Sequence, residues 1–232
     1  VFTLPDGQGY ADQNGKVYTE RLVIQGPMTL YTVKAAVKEN ESYVAIENQE
    51  DIRAYNALLN KDVSANALLL NDVTMPSDLI IGNENNAYTA TFDGNGYTMT
   101  VAYTDESANA AAPFGVLGSS GVIRNLHVDG EVMAITNAGG IALSANNNAR
   151  IENCTSSVNV KLLGNSTQSG SGIIAVQAGG FVGNSDTRVY FTNCLFDGTV
   201  THVSVENSLA YLAGFSGYAT NGSYFTNCLM LG

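Results

Sequence analysis

"AGGFVGN", residues 178–184, is core-like sequence interrupted by glycines, and it half-recurs as "AGFSG" at 213–217 and "AGGIAL" at 138–143. Aligned on the first apolar residue, the phrases open four longer segments: "GVLGSSGVIRNLHVDGEV" (115–132), "GIALSANNNARIENCTSSVNV" (140–160), "GFVGNSDTRVYFTNCLFDGTV" (180–200) and "GFSGYATNGSYFTNCLMLG" (214–232). Ile141, Phe181 and Phe215 each stand 12 residues before an asparagine (Asn153, Asn193, Asn227), and Val116 stands 9 before Asn125 because its turn is shorter. The chain therefore contains a repeat.

Around each asparagine the pattern has a period of two. Leu126, Cys154, Cys194 and Cys228 follow it directly, and Val128, Ser156, Phe196 and Met230 come two residues later. Ile123, Ile151, Phe191 and Phe225 precede it, so each copy reads as two short strands broken by a bend at the asparagine. The asparagines are 28, 40 and 34 residues apart. Periods in this range signal stacked repeats, which tolerate unequal spacing by pushing surplus residues out at a corner. The surplus lies in "KLLGNSTQSGSG" (161–172) and "THVSVENSLA" (201–210).

The expected architecture is all-β: a right-handed parallel β-helix whose successive coils stack at about 4.8 Å. Glycine permits close backbone approach at the coil corners. Asparagine tolerates the left-handed bend, and stacked asparagine side chains can hydrogen-bond from coil to coil. Cys154, Cys194 and Cys228 are then small interior fillers, too few and too far apart for a disulfide framework or paired zinc ligands. No metal or cofactor is expected.

Upstream, "NQEDIRAYNALL" (48–59) places Ile52, Tyr55, Leu58 and Leu59 on one helical face. Asn48 suits the N-cap, Glu50 and Asp51 favour the first turn, and Asn60 ends the helix. A helix over 48–60 would cap the first coil. "NALLLNDVTM" (66–75) reads as a strand, and "YTATFDGNGYTMTV" (88–101) as two strands around a tight turn at Asp93–Gly96. A calcium loop there is disfavoured, because its later ligand positions fall on Tyr97 and Thr104. Residues 1–46 carry alternating stretches at 16–25 and 28–37, either early coils or a small β-module, before the repeat region at 47–232. The last copy lacks a final strand and a cap, so the chain is expected to be part of a larger modular protein.

Of the 232 residues only 13% are charged and none is Trp, so the surface must be covered by Asn, Ser and Thr. A net charge of -11 argues against nucleic-acid or anionic-membrane partners. No apolar run approaches the ~20 residues that span a bilayer, so no membrane insertion is expected in this segment.

The order of helix, "LLLNDVTM", "FDGNGYTMTV", "GVLGSSGVIRNLHVDGEV" and then segments bearing "GGFVG" and "FTNC" resembles the GLUG-repeat proteins of bacterial cell surfaces, over about residues 43–232. The namesake phrase is matched by Gly115-Val116-Leu117-Gly118 and Gly180-Phe181-Val182-Gly183; Gly214-Phe215-Ser216-Gly217 and Gly140-Ile141-Ala142-Leu143 depart in part. The resemblance implies secreted or wall-attached bacterial proteins in which such repeats are adhesin-like or accessory, some beside immunoglobulin A metallopeptidases. The His-Glu-x-x-His zinc signature is absent, and no catalytic residue of the family maps here.

β-Helices also carry glycosidases and polysaccharide lyases, so the residues must decide. Asp129 and Asp197 share a repeat position two coils apart, about 10 Å, near the spacing of an inverting carboxylate pair. Both precede a glycine, Gly130 and Gly198, which favours turn chemistry, and Ser157 stands between them. His127 and His202 read as solvated surface residues. Arg124, Arg150 and Arg188 fall near corresponding turns, a weak stripe for an anionic ligand, and Tyr103, Tyr211 and Tyr218 are candidates for stacking on sugars. The expected function is a non-catalytic extracellular surface module, adhesin-like or a stalk, that meets host or microbial glycans or surface proteins. A carbohydrate-active enzyme is the alternative.

Overall fold

The computed structural model of the protein describes residues 7–19, 26–61, 64–169, 172–203 and 208–231. It is mostly β-sheet with one helix. A ten-stranded sheet, a seven-stranded sheet and two four-stranded sheets each gather strands from the successive sequence repeats, and a small two-stranded hairpin stands apart.

Each repeat contributes four strands, two more than the asparagine pattern alone discloses. The second copy supplies Asn137–Gly139, Ala142–Ala145, Arg150–Glu152 and Thr155–Leu162, one to each large sheet. We call such a set a tier. Its strands pair in parallel with the equivalents before and after: Ile123 opposes Ile151, Ile151 opposes Phe191, and Phe191 opposes Phe225. The unequal repeat lengths thus leave the register intact.

The bends explain why asparagine recurs. Asn125, Asn153, Asn193 and Asn227 all sit at φ between 52° and 54°, a left-handed conformation that asparagine adopts more readily than most residues. Their side chains form a continuous file. Asn153 Nδ2 donates to Asn125 Oδ1 (3.1 Å), Asn193 to Asn153 (2.9 Å) and Asn227 to Asn193 (3.1 Å). Beside the file, Cys154 and Cys194 are buried and free, each donating its thiol to a carbonyl of the preceding tier, Ile123 and Ile151.

The recurring glycines answer a packing demand. A Cβ at Gly140 would run into the Gly180 carbonyl, and one at Gly180 into the Phe196 ring and the Gly214 carbonyl. Because these positions stack directly, no side chain fits between tiers. The space beside them is filled by aromatic columns: Phe181 on Phe215 (5.1 Å between centroids) and Phe191 on Phe225 (5.1 Å), both stacked. Full burial of such a ring contributes about 1.5–3 kcal/mol.

The N-terminal strands differ in direction. Val17–Tyr18, Gln8–Asp12, Leu30–Lys38 and Glu41–Ile46 pair antiparallel in that order, and Glu41–Ile46 then joins Ala67–Leu69 in parallel, extending the ten-stranded sheet. The stretch at 16–25 lies outside the described residues from 20 onward. The helix runs Gln49–Leu59, with Asn48 Oδ1 accepting from the backbone of Glu50 and Asp51. Its buried face, Ile52, Tyr55, Leu58 and Leu59, belongs to the common core. Tyr55 donates to the Ala65 carbonyl (2.6 Å) and its hydroxyl meets that of Tyr88 (2.9 Å).

Three expectations change. The tight turn at Asp93–Gly96 is present, closed by Tyr97 N donating to the Gly94 carbonyl (2.8 Å), but the strands it joins, Thr91–Asp93 and Thr98–Tyr103, enter different sheets, so it is a corner between them. The surplus segments begin later than their composition suggests, because Lys161 and Leu162 still pair with Thr201 and His202. Tyr103 is a core residue rather than a surface one, donating its hydroxyl to the Leu79 carbonyl (2.6 Å).

Candidate functional site

The outer side of the seven-stranded sheet brings together the groups with the richest chemistry. Along Thr98–Tyr103, His127–Ala134 and Thr155–Leu162 alternate residues face outward, and register aligns them: Thr98, His127 and Thr155 in one row, then Thr100, Asp129 and Ser157 in the next. Asp197 follows Leu195–Phe196, which pairs with Thr155–Ser156, and so reaches Ser157. The expected order Asp129, Ser157, Asp197 is therefore present on one face.

Their hydrogen bonds define what the row can do. Ser157 Oγ donates to Asp197 Oδ1 (2.5 Å) and lies 2.9 Å from His127 Nε2. The single hydroxyl proton is engaged by the carboxylate, so His127 Nε2 must carry the hydrogen it shares with Ser157. Ser157 is thus not activated as a nucleophile, which would require the imidazole to accept. Thr98 Oγ1 lies 3.5 Å from the other ring nitrogen, Nδ1. Asp129 spends Oδ1 on the backbone N–H of Gly130 (2.7 Å). The two aspartates do not flank an open gap for water, since a serine occupies the tier between them. The row presents hydroxyl, imidazole and carboxylate groups together on one outer face.

Neither glycine makes the expected turn. Gly130 lies inside the strand His127–Ala134 at φ 121°, where a Cβ would meet the Val101 carbonyl, and a Cβ at Gly198 would meet the Val158 carbonyl. Close approach between tiers, not chain reversal, requires them.

The arginines do not form a stripe. Arg124 pairs with Glu152, Arg150 with Val122, and Arg188 precedes the strand in which Tyr190 opposes Arg150, so the three occupy different positions along the chain. Arg124 is consumed internally: Nε binds Asp93 Oδ2 (3.1 Å) and NH2 donates to the Tyr43 hydroxyl (3.0 Å). Arg188 sits at φ 52° in the bend before Val189–Thr192. Tyr211 and Tyr218 do meet, on adjacent sheets of the last tier, with ring centroids 4.9 Å apart and half-buried.

Composition had given no sign of a buried charge centre at Asp93. Its side chain is fully buried and all its acceptor directions are used: Oδ1 accepts from Asn95 N (2.8 Å) and Asn125 Nδ2 (3.0 Å), Oδ2 from Lys38 Nζ (2.9 Å) and Arg124 Nε (3.1 Å). Burial works to raise its pKa, but the donors Asn125, Lys38 and Asn95 N outweigh it and hold the carboxyl below its ordinary value. Tyr43, donating to Glu41 (2.7 Å), is pushed up to about 12 by burial first and then by that carboxylate. The network joins the N-terminal antiparallel strands to the first tier; the signal in sequence is only the pair Asp93 and Arg124, 31 residues apart.

One corner stands out from this regular surface. The hairpin of Thr167–Ser169 and Gly172–Ile174 lies beside the next tier's surplus segment, tied by Ser166 N to Ser208 Oγ (3.0 Å) and Leu209 N to Ser166 Oγ (2.9 Å). Ile173, Ile174, Val203 and Leu209 are exposed there. Among the described residues no group of three or more His, Cys, Asp or Glu could hold a metal ion, and no helix is long and apolar enough to cross a membrane. No protein-family model and no curated protein matches the chain.

Proposed function

We propose that the chain is a non-catalytic extracellular module of a bacterial surface protein, a right-handed parallel β-helix of the GLUG-repeat type, adhesin-like or stalk-forming. In this reading the tiers are coils, residues 47–232 are the repeat unit with its helix cap, and the protein is secreted or wall-attached. The observation that carries the proposal is the corner where Ser166 is bonded to Ser208 and Leu209 of the next tier and where Ile173, Ile174, Val203 and Leu209 are exposed. Apolar side chains rimmed by polar ones mark a contact surface. The polar row of His127, Asp129, Ser157 and Asp197 adds donors and acceptors suited to glycan hydroxyls or to a polar protein surface.

The test is a glycan array and a screen against host surface proteins, run beside an activity screen on complex polysaccharides. Binding without turnover is expected, with loss of binding in the triple variant Ile173→Ser, Ile174→Ser, Val203→Ser. Turnover of a polysaccharide that disappears in Asp129→Asn or Asp197→Asn would replace the binding module with a carbohydrate-active enzyme.

A further inference from the structure

The strand Leu30–Lys38 outruns one of the two partners that flank it. Gln8–Asp12 runs along residues 30–34 on one edge, and Glu41–Ile46 pairs only with Ala35–Lys38 on the other. Ala35 N donates to the Gly7 carbonyl (3.0 Å). In an antiparallel ladder the odd residues from 31 to 35 therefore turn their backbone groups toward Gln8–Asp12, and Leu30 and Thr32 turn theirs the opposite way. Among the described residues no strand lies opposite Leu30 and Thr32 on that side.

The helix Gln49–Leu59 stands across from this edge, and the space between them is a cleft of about 430 Å³. All five residues from Leu30 to Lys34 line it. A cleft on one face of a strand would touch alternate residues, so contact with each in turn places this one along the edge. On the helix side the lining positions Asp51, Ala54, Leu58 and Lys61 are spaced by three or four, which is one side of a helix. Ala54 and Ala57, small and exposed, leave the cleft open, while Tyr31 and Val33 are half-buried against the core.

These features identify the occupant. A free strand edge offers donors and acceptors about 6.8 Å apart, the repeat of another extended backbone. A sugar would need polar side chains to meet its hydroxyls, and those between the two lysines are mainly apolar: Val33, Ala54, Ala57 and Leu58. Charge adds a preference. Lys34 Nζ is neutralised by Glu47 (3.1 Å) and Asp51 (3.0 Å), whereas Lys61 Nζ stands 5.0 Å over the Tyr31 ring rather than on a carboxylate.

We propose that this cleft binds an extended peptide segment of a partner protein. The segment adds a strand beside Leu30–Lys34, sets alternate apolar side chains against Ala54, Ala57 and Leu58, and places an acidic residue at Lys61. The site is separate from the corner at Ile173 and does not depend on the function assigned to that corner.

Panning the 232-residue chain against a random heptapeptide library displayed on phage tests this. Recurrent sequences with alternating apolar residues and an Asp or Glu near one end are expected. The enriched peptide, synthesised with both ends blocked, should bind with a micromolar dissociation constant by fluorescence polarisation. Thr32→Pro removes an amide of the free edge, a change that edge strands tolerate, and should weaken binding at least tenfold. Ala57→Trp, which fills the cleft from the exposed side of the helix, should do the same, and Lys61→Glu should select peptides without the acidic residue. If Thr32→Pro misfolds, Ala57→Trp and hydrogen exchange on the unaltered chain decide: the Thr32 amide should exchange freely in the chain alone and gain protection with peptide, while that of Val33, facing Gln8–Asp12, is protected throughout. No enrichment over the Ala57→Trp chain, peptide binding that ignores both substitutions, or a Thr32 amide already protected in the chain alone would each overturn the proposal. Protection of Thr32 that rises with protein concentration in the absence of peptide would overturn it in favour of a second copy of the chain.

Discussion

Asp93 is the residue on which most polar interactions converge. Asp93→Asn removes the charge facing Lys38 and Arg124 and should cost about 2 kcal/mol or more, less than a fully buried pair because both cations reach solvent; urea denaturation would measure it. Because the folded carboxyl lies below its ordinary value of 3.8, its stabilisation is complete above that pH and is lost as acid drives the pH through the folded value. Asp93→Asn should accordingly flatten the acid limb of the stability profile. At the bends, Asn153→Ala must hold a left-handed conformation without the side-chain bonds, at about 2–3 kcal/mol; Asn153→Gly keeps the conformation and should lose about 1 kcal/mol. The thiols are separable as well. Burial pushes Cys194 up to about 12 and Cys154 higher still, so both should resist a disulfide reagent at pH 8 in the folded protein, whereas half-buried Cys228 should react.

Among the elements, the helix and the repeat strands were legible because each rests on a local rule. Asn48, the acidic first turn and the spacing of Ile52, Tyr55 and Leu58 specify a capped amphipathic helix whatever it packs against. The period of two around Asn125, Asn153, Asn193 and Asn227 specifies strands and bends in the same way. The strands Asn137–Gly139 and Val176–Gly179 were illegible because their glycine and alanine show no alternation; what selects Gly139 and Gly179 is backbone that comes too close for a Cβ, first the carbonyls of Ala142 and Val182 round the corner of the same tier and then the amides of Gly183 and Gly217 in the next. The same holds for Gly130, whose Asp-Gly context reads as a turn although its role is set by Val101 in the preceding tier. Gly140→Ala should therefore be as damaging as a core overpacking change, about 1–3 kcal/mol, despite being the mildest substitution available. Thermal melting of that variant against Gly26→Ala, where an added Cβ meets nothing, would compare a stacked position with an open one.

At the scale of the whole molecule, the hydrogen bonds of Asp197 illustrate what a linear reading cannot contain. Sequence spacing placed Asp129 and Asp197 on one line, and they are; it could not place the Ser157 hydroxyl between His127 and Asp197, because three tiers must be assembled before those atoms meet. The Arg124 link to Asp93 and Tyr43 is equally non-local, joining residues 31 and 81 positions apart. Since neighbouring tiers hold one another by nearest-neighbour contacts, opening should begin where one neighbour is missing. In the 232-residue chain, where the strands of 210–230 have a paired neighbour on one side only, hydrogen exchange should release their amides before those of 122–160.

The asparagine file has a direction. Each amide gives its hydrogen to the residue below, Asn125, Asn153 and Asn193 each take one from the asparagine above, and the bottom donor, Asn125, ends on the carboxylate of Asp93. Such a one-way line admits shortening only in whole steps. Excising residues 125–152 joins Arg124 to Asn153 across one full 28-residue period, setting a new amide over the same anion with inside and outside preserved; taking out one residue fewer would turn the following strand over and expose the faces now packed within.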